Sequence, residues 1–181
     1  MQDRVEWINY DTLSLAIDES NHGQFPEIFC GVFSKRRNDG LNSKMKLDKA
    51  KKEKDFHKII SEVSQRAYSF LVVASKEDYR RIGYEEMTGI VAASLLKDTN
   101  FNFEYLRILV DGIPPGKGKY KIIGPVSEIL GMDQRRILLK CGKDLDVTYP
   151  LVHFADGMAR YLYRQKLEDI ALNPNLKHLI K

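Results

Sequence analysis

Thr12-Leu13-Ser14-Leu15-Ala16-Ile17-Asp18-Glu19-Ser20-Asn21-His22-Gly23 is the stretch whose reading decides the fold. Residues 12–17 alternate with a period of two, which predicts a strand over Thr12–Ile17. The strand closes on Asp18-Glu19 and runs into the polar turn Ser20-Asn21-His22-Gly23. Two adjacent carboxylates at the end of a buried apolar strand are costly unless something binds them. A divalent cation is the commonest reason to tolerate that cost. Further acids should then converge on the same place, and Asp111 and Asp156 are the candidates far along the chain.

Working outward, Glu27–Phe33 is short and apolar and completes an antiparallel hairpin with the first strand. Ser34–Ser43 is polar, with Asn38-Asp39-Gly40 as a turn. Lys44–Gln65 has helical spacing in its second half, through Phe56, Ile59, Ile60 and Val63. Ser69–Ala74 is a continuous apolar run, expected of a strand covered on both faces. Ser75, with Asp78 three residues on, resembles a capping box. The helix it opens is expected to run to Lys97, with Tyr79, Ile82, Met87, Ile90, Val91 and Leu95 inward. Tyr105–Val110 is a strand that ends at Asp111-Gly112, and Ile137–Cys141 is another. Between them Ile113–Gly131, rich in Gly, Pro and Lys, reads as irregular. Asp144–Tyr149 leads to Pro150, which suits the first position of a helix running to Leu167. Asp169–Lys181 reads as a tail or short terminal helix. Early strands followed by alternating helices and strands predict an α/β chain, a mixed sheet with helices on its faces. Without repeat or linker, 1–181 reads as a single domain.

The 181 residues suffice for one real core, and 43% hydrophobic with 30% charged residues exclude a disordered chain. A net charge of +4 permits a phosphate-bearing partner without demanding one. Cys30 and Cys141 each fall in a predicted apolar strand and read as reduced core thiols. The N-terminus lacks the apolar run of a signal peptide, and no stretch approaches the roughly 20 apolar residues of a membrane span. A soluble, cytoplasmic protein with no membrane partner is expected.

Asp111 closes its strand as Asp18 closes the first, so adjacent parallel strands would bring both to one edge, where sites of open α/β sheets form. On a helix Val152, Asp156, Ala159 and Tyr163 share a face, so Asp156 interrupts the stripe that should meet the sheet. Arg160 at i+4 can pair with it. Each acid also has a bland reading: turn and cap chemistry at Asp18, a plain turn at Asp111, a core ion pair at Asp156. Three separate segments each placing a carboxylate where burial is expected favour a shared counter-ion.

Asp18-Glu19 at the end of strand one, Val110-Asp111-Gly112 after a central strand and Ala155-Asp156 in the last helix resemble the ribonuclease H-like superfamily. The closest likeness is to an uncharacterised branch that opens with Asp-Glu-Ser-Gly and ends with a Gln-x-Ala-Asp helix. More distant are type 2 ribonucleases H, which open with Asp-Glu-Ala-Gly-Arg-Gly. The resemblance spans residues 12 to 166. Asn21 stands where Gly is expected and His153 where Gln is expected. The Gly-Arg-Gly that senses a ribose 2′-hydroxyl is absent, so recognition of a lone ribonucleotide in DNA is not expected.

The resemblance implies a metal-dependent nuclease hydrolysing phosphodiester bonds with two Mg²⁺ or Mn²⁺ ions about 4 Å apart. Asp18 would bridge them, and Glu19, Asp111 and Asp156 would complete the shells, oxygen donors suiting hard cations. Adjacent strand residues point to opposite faces, so Glu19 can join Asp18 only if the strand bends. The partner expected is nucleic acid: RNA, DNA or hybrid. Oligomeric state is not legible.

Lys44–Lys58 carries seven lysines, but Asp48, Glu53 and Asp55 interleave, which suits a solvated, salt-bridged helix. Gly116-Lys117-Gly118-Lys119-Tyr120-Lys121 is a better phosphate contact, with Tyr120 able to stack on a base. It is also readable as a plain surface loop. His22 and His153 are candidates for moving a proton or touching substrate. Asp144 and Asp146 could replace Asp111 as a ligand. Two further readings stay open: a non-catalytic nucleic-acid- or protein-binding module on the same fold, and a metal-dependent hydrolase of small phosphates.

Overall fold

The structure is a computed structural model and describes residues 11–20, 27–35, 68–73, 80–97, 99, 101–112, 118–164 and 176–178. Its elements are β1 (Thr12–Ser20), β2 (Glu27–Ser34), β3 (Tyr68–Val73), α1 (Tyr84–Lys97), β4 (Tyr105–Asp111), α2 (Gly118–Leu130), β5 (Ile137–Gly142), α3 (Leu145–Thr148), α4 (Pro150–Arg164) and β6 (Leu176–His178). The expected helix over Lys44–Gln65 and the Ser75 cap lie outside the described residues.

Six strands form one mixed sheet in the order β5-β4-β1-β2-β3-β6. β1 and β2 pair antiparallel, as do β2 and β3, whereas β1–β4, β4–β5 and β3–β6 are parallel. The adjacency of β1 and β4 therefore holds, with Thr12 beside Tyr105 and Ile17 beside Val110.

Strand alternation sorts the core into two layers. Leu13, Leu15 and Ile17 of β1, with Leu106, Ile108 and Val110 of β4, pack under α1 and α2. Ala16 and Leu109, with Ile28, Cys30 and Val32 of β2, pack under α3 and α4. The close approach of α1 to α2 requires Gly89: a Cβ there would lie 2.5 Å from the Ile122 carbonyl oxygen. Among the described residues no helix is long and apolar enough to cross a membrane.

Three expectations are corrected. β1 does not stop at Ile17: Asp18, Glu19 and Ser20 pair with Cys30, Phe29 and Ile28, because β2 supplies partners that periodicity along one strand cannot reveal. Residues 118–130 are helical rather than irregular. Ile122, Ile123 and Val126 bury one stripe of α2 against the core, and that packing outweighs Pro125, which only removes the N–H that would bond residue 121. Residues 176–178, expected as a tail or helix, pair with β3 at the sheet edge.

Candidate metal centre

Asp18 shares the α4-facing side of β1 with Ala16, and Asp111 shares that side of β4 with Leu109. The β1–β4 ladder runs to Ile17 beside Val110, so the next residue on each strand is an aspartate. Two parallel strands thus deliver Asp18 and Asp111 side by side at their C-terminal ends. Asp18 is 8% exposed and accepts a hydrogen bond at Oδ1 from the Glu19 N–H at 2.9 Å. Burial pushes its carboxyl well above the ordinary carboxylate range. Repulsion from Glu19, Asp156 and Asp111 adds to the rise, and the Glu19 N–H pulls against it.

The third acid arrives on α4, which packs against β1 and β2. Val152 and Ala159 on its stripe are fully buried, Asp156 between them is 9% exposed, and Tyr163 emerges into solvent. Arg160 Nε donates to Asp156 Oδ1 at 2.8 Å, the i,i+4 pair expected from the spacing. The carboxylate nevertheless lies near enough to Asp18 to repel it. Acids from β1, β4 and α4 therefore come to one face at one end of the sheet.

Asp111 does two things. Its Oδ1 accepts the Leu145 N–H at 2.9 Å, fixing the start of α3. Asp144, in the left-handed region at φ 59°, turns the chain there, a conformation Asp tolerates better than most residues. Burial raises the Asp111 carboxyl, the Leu145 and Gly112 N–H groups lower it, and Asp146 and Asp144 raise it again. Asp111 thus both anchors the start of α3 and follows the β1–β4 ladder beside Asp18.

Glu19 follows Asp18 on an unbroken strand, so by alternation it belongs to the α1–α2 side. Its charge still raises Asp18 more than any other does, which keeps it at the rim of the centre.

A further cluster joins this one through Asp156. Ligand atoms of Asp146, His153 and Asp156 all lie within 4.8 Å of one another. His153, 3% exposed, stands one turn before Asp156, and Asp146 comes from α3. Asp146 was legible as an alternative ligand to Asp111 ahead of the last helix; its meeting with His153 depends on the fold of α3 over α4. Cys30 faces Asp18 from β2, a neighbour set by register. Burial and the Asp18 charge both raise its thiol far above the usual range.

His22 and Lys117 lie outside the described residues. Lys119 and Tyr120 belong to the first turn of α2 rather than to a loop, and Tyr120 is 76% exposed. Lys119 stands close enough to Cys141, near the C-terminal end of β5, to favour its thiolate, although burial dominates and pushes that thiol up to about 11.

No family model matches the chain, and no curated protein does. Solved structures do match. A chain of the PCNA–ribonuclease HII complex from Archaeoglobus fulgidus is 20% identical, with TM-score 0.55, covering 91% of this chain and 81% of that one. Ribonuclease H2 from Pyrococcus horikoshii OT3 is 17% identical, with TM-score 0.56 and the same coverages. Bst ribonuclease HIII in complex with Mn²⁺ is 14% identical, with TM-score 0.55, over 90% of this chain and 55% of that one. The fold is ribonuclease H-like: a mixed sheet flanked by helices.

Proposed function

We propose that this chain is a metal-dependent nuclease, hydrolysing phosphodiester bonds in nucleic acid at Asp18, Asp111 and Asp156, with Glu19 at the rim. One observation carries the reading: a buried Asp18 carboxyl repelled by Glu19, Asp156 and Asp111 at once. Such a group is expensive in a metal-free fold and is stabilised by a divalent cation. The donor set fits, since carboxylate oxygens are what Mg²⁺ and Mn²⁺ take. Two such ions would polarise the phosphate and stabilise charge on the leaving oxygen. The chain's own part is to fix three acids on rigid elements, with Asp111 tied to Leu145 and Asp156 to Arg160.

The likeness to Bst ribonuclease HIII, a Mn²⁺ complex, supports a divalent ion. The uncharacterised Asp-Glu-Ser-Gly branch is the relative we favour, and a single cytoplasmic domain is the setting. Lys119 and Tyr120, at the same end of the sheet, are suited to hold a phosphate and stack on a base. A second reading, a non-catalytic nucleic-acid-binding module, draws on the same two ties: Asp111 and Asp156 each already have a structural role.

A cleavage panel of RNA, DNA, hybrid and branched substrates with Mg²⁺ or Mn²⁺ separates the two. The nuclease reading expects cleavage by the wild type and a loss of about a hundredfold or more in Asp18→Asn, some 3 kcal/mol of barrier. A wild type inert on every substrate, or an Asp18→Asn variant as active as the wild type, leaves the binding module.

A further inference from the structure

The acids assigned above offer only oxygen donors, but the cluster next to them does not. His153 is a buried imidazole on α4, Asp156 follows at i+3 on the same helix, and Asp146 approaches from α3. Their ligand atoms lie within 4.8 Å of one another, a span one cation can bridge. The approach is fixed from several sides. The Leu145 N–H is held by Asp111, the Tyr149 N–H donates to the Leu145 carbonyl at 2.7 Å, and the His153 N–H donates to the Tyr149 carbonyl at 3.1 Å. The backbone from Asp146 to His153 is thus hydrogen-bonded back to β4, the strand that carries Asp111. Asp156 gives one oxygen to Arg160, and a carboxylate has lone pairs left on both oxygens for another partner.

We infer that Asp146, His153 and Asp156 form a cation position with a nitrogen donor, one that takes Mn²⁺ or Zn²⁺ in preference to Mg²⁺. Imidazole nitrogen suits transition metals, whereas Mg²⁺ holds to oxygen ligands and its own waters. The position shares Asp156 with the proposed catalytic centre. Its use in cleavage rests on the nuclease reading, but binding of the cation does not.

Pulsed electron paramagnetic resonance of the full chain loaded with Mn²⁺ alone tests this directly, because a coordinated imidazole imprints nitrogen modulation on the Mn²⁺ signal. The wild type should show that modulation and bind Mn²⁺ at least about tenfold more tightly than Mg²⁺ by calorimetry. His153→Gln should lose the modulation and about 10–100-fold in Mn²⁺ affinity, with Mg²⁺ affinity little changed. Asp146→Asn, which keeps the imidazole, should also weaken Mn²⁺ and serves if His153→Gln does not fold. Absence of modulation in the wild type, its survival in His153→Gln, or unchanged Mn²⁺ affinity in both variants overturns the site and leaves a buried histidine beside two carboxylates. Nitrogen-coupled Mn²⁺ in a protein that cleaves nothing sinks the nuclease reading and keeps this one; cleavage without nitrogen coupling does the reverse.

Discussion

Asp18 carries most of the chemistry at the residue scale, and its environment has a measurable consequence. Its carboxyl holds a proton to a higher pH in the folded state than in the unfolded chain, where the ordinary value is 3.8. Above 3.8 the folded state therefore binds more protons than the unfolded one, so metal-free stability falls as pH rises. Asp111 is raised in the same direction and adds to the slope. Thermal unfolding in chelator should show a higher melting temperature in mildly acidic than in neutral buffer. Asp18→Asn, which can still accept the Glu19 N–H, should flatten the profile and gain about 1–2 kcal/mol at neutral pH. Equal slopes for the two proteins would show that Asp18 is not held against its charge. The sequence shows Asp18, Asp111 and Asp156 as acids in apolar settings, and Arg160 at i+4 as a partner. It does not show that Cys30 faces Asp18 or that Asp146 meets His153, because those contacts follow from register and from a helix of four residues.

Elements differ in how plainly they are written. β1 is read from alternation at Leu13, Leu15 and Ile17, whose side chains are all fully buried under the helices. Its last three residues are polar or charged, and only pairing with β2 makes them strand. α2 was hidden by Gly118 and Pro125, which punctuate a chain locally but yield here to a buried stripe of Ile122, Ile123 and Val126. β6 has three residues, too few for any periodicity, and exists through its partner β3. Gly89 looks like a weak point in a helical pattern, yet α1 needs it for contact with α2. Gly89→Ala places a methyl against backbone, which cannot move aside as a side-chain tip can. We expect a loss of about 1–3 kcal/mol in chemical denaturation despite the better helix propensity of Ala. A neutral or stabilising Gly89→Ala would mean that the two helices stand further apart.

The whole molecule gathers its acids by topology. β1, β4 and β5 run parallel, and the β1–β4 register sets Asp111 beside Asp18, which lies 93 positions earlier in the chain. The sheet then separates its helices by face, α1 and α2 on one side and α3 and α4 on the other. Because α4 lies on β1, Asp156, the last of the three acids along the chain, reaches the first strand. The mixed sheet was legible from the order of strands and helices, whereas the adjacency of β1 and β4 is not written in either strand and comes from their pairing. The central claim is that Asp18, Asp111 and Asp156 share one divalent-cation centre. Anomalous scattering from crystals grown with Mn²⁺ tests it most directly. The account predicts a peak within about 2–2.5 Å of an Asp18 carboxylate oxygen, with Asp111 and Asp156 contributing to its surroundings. Manganese density absent from this end of the sheet, or bound only by acids other than these three, would contradict it.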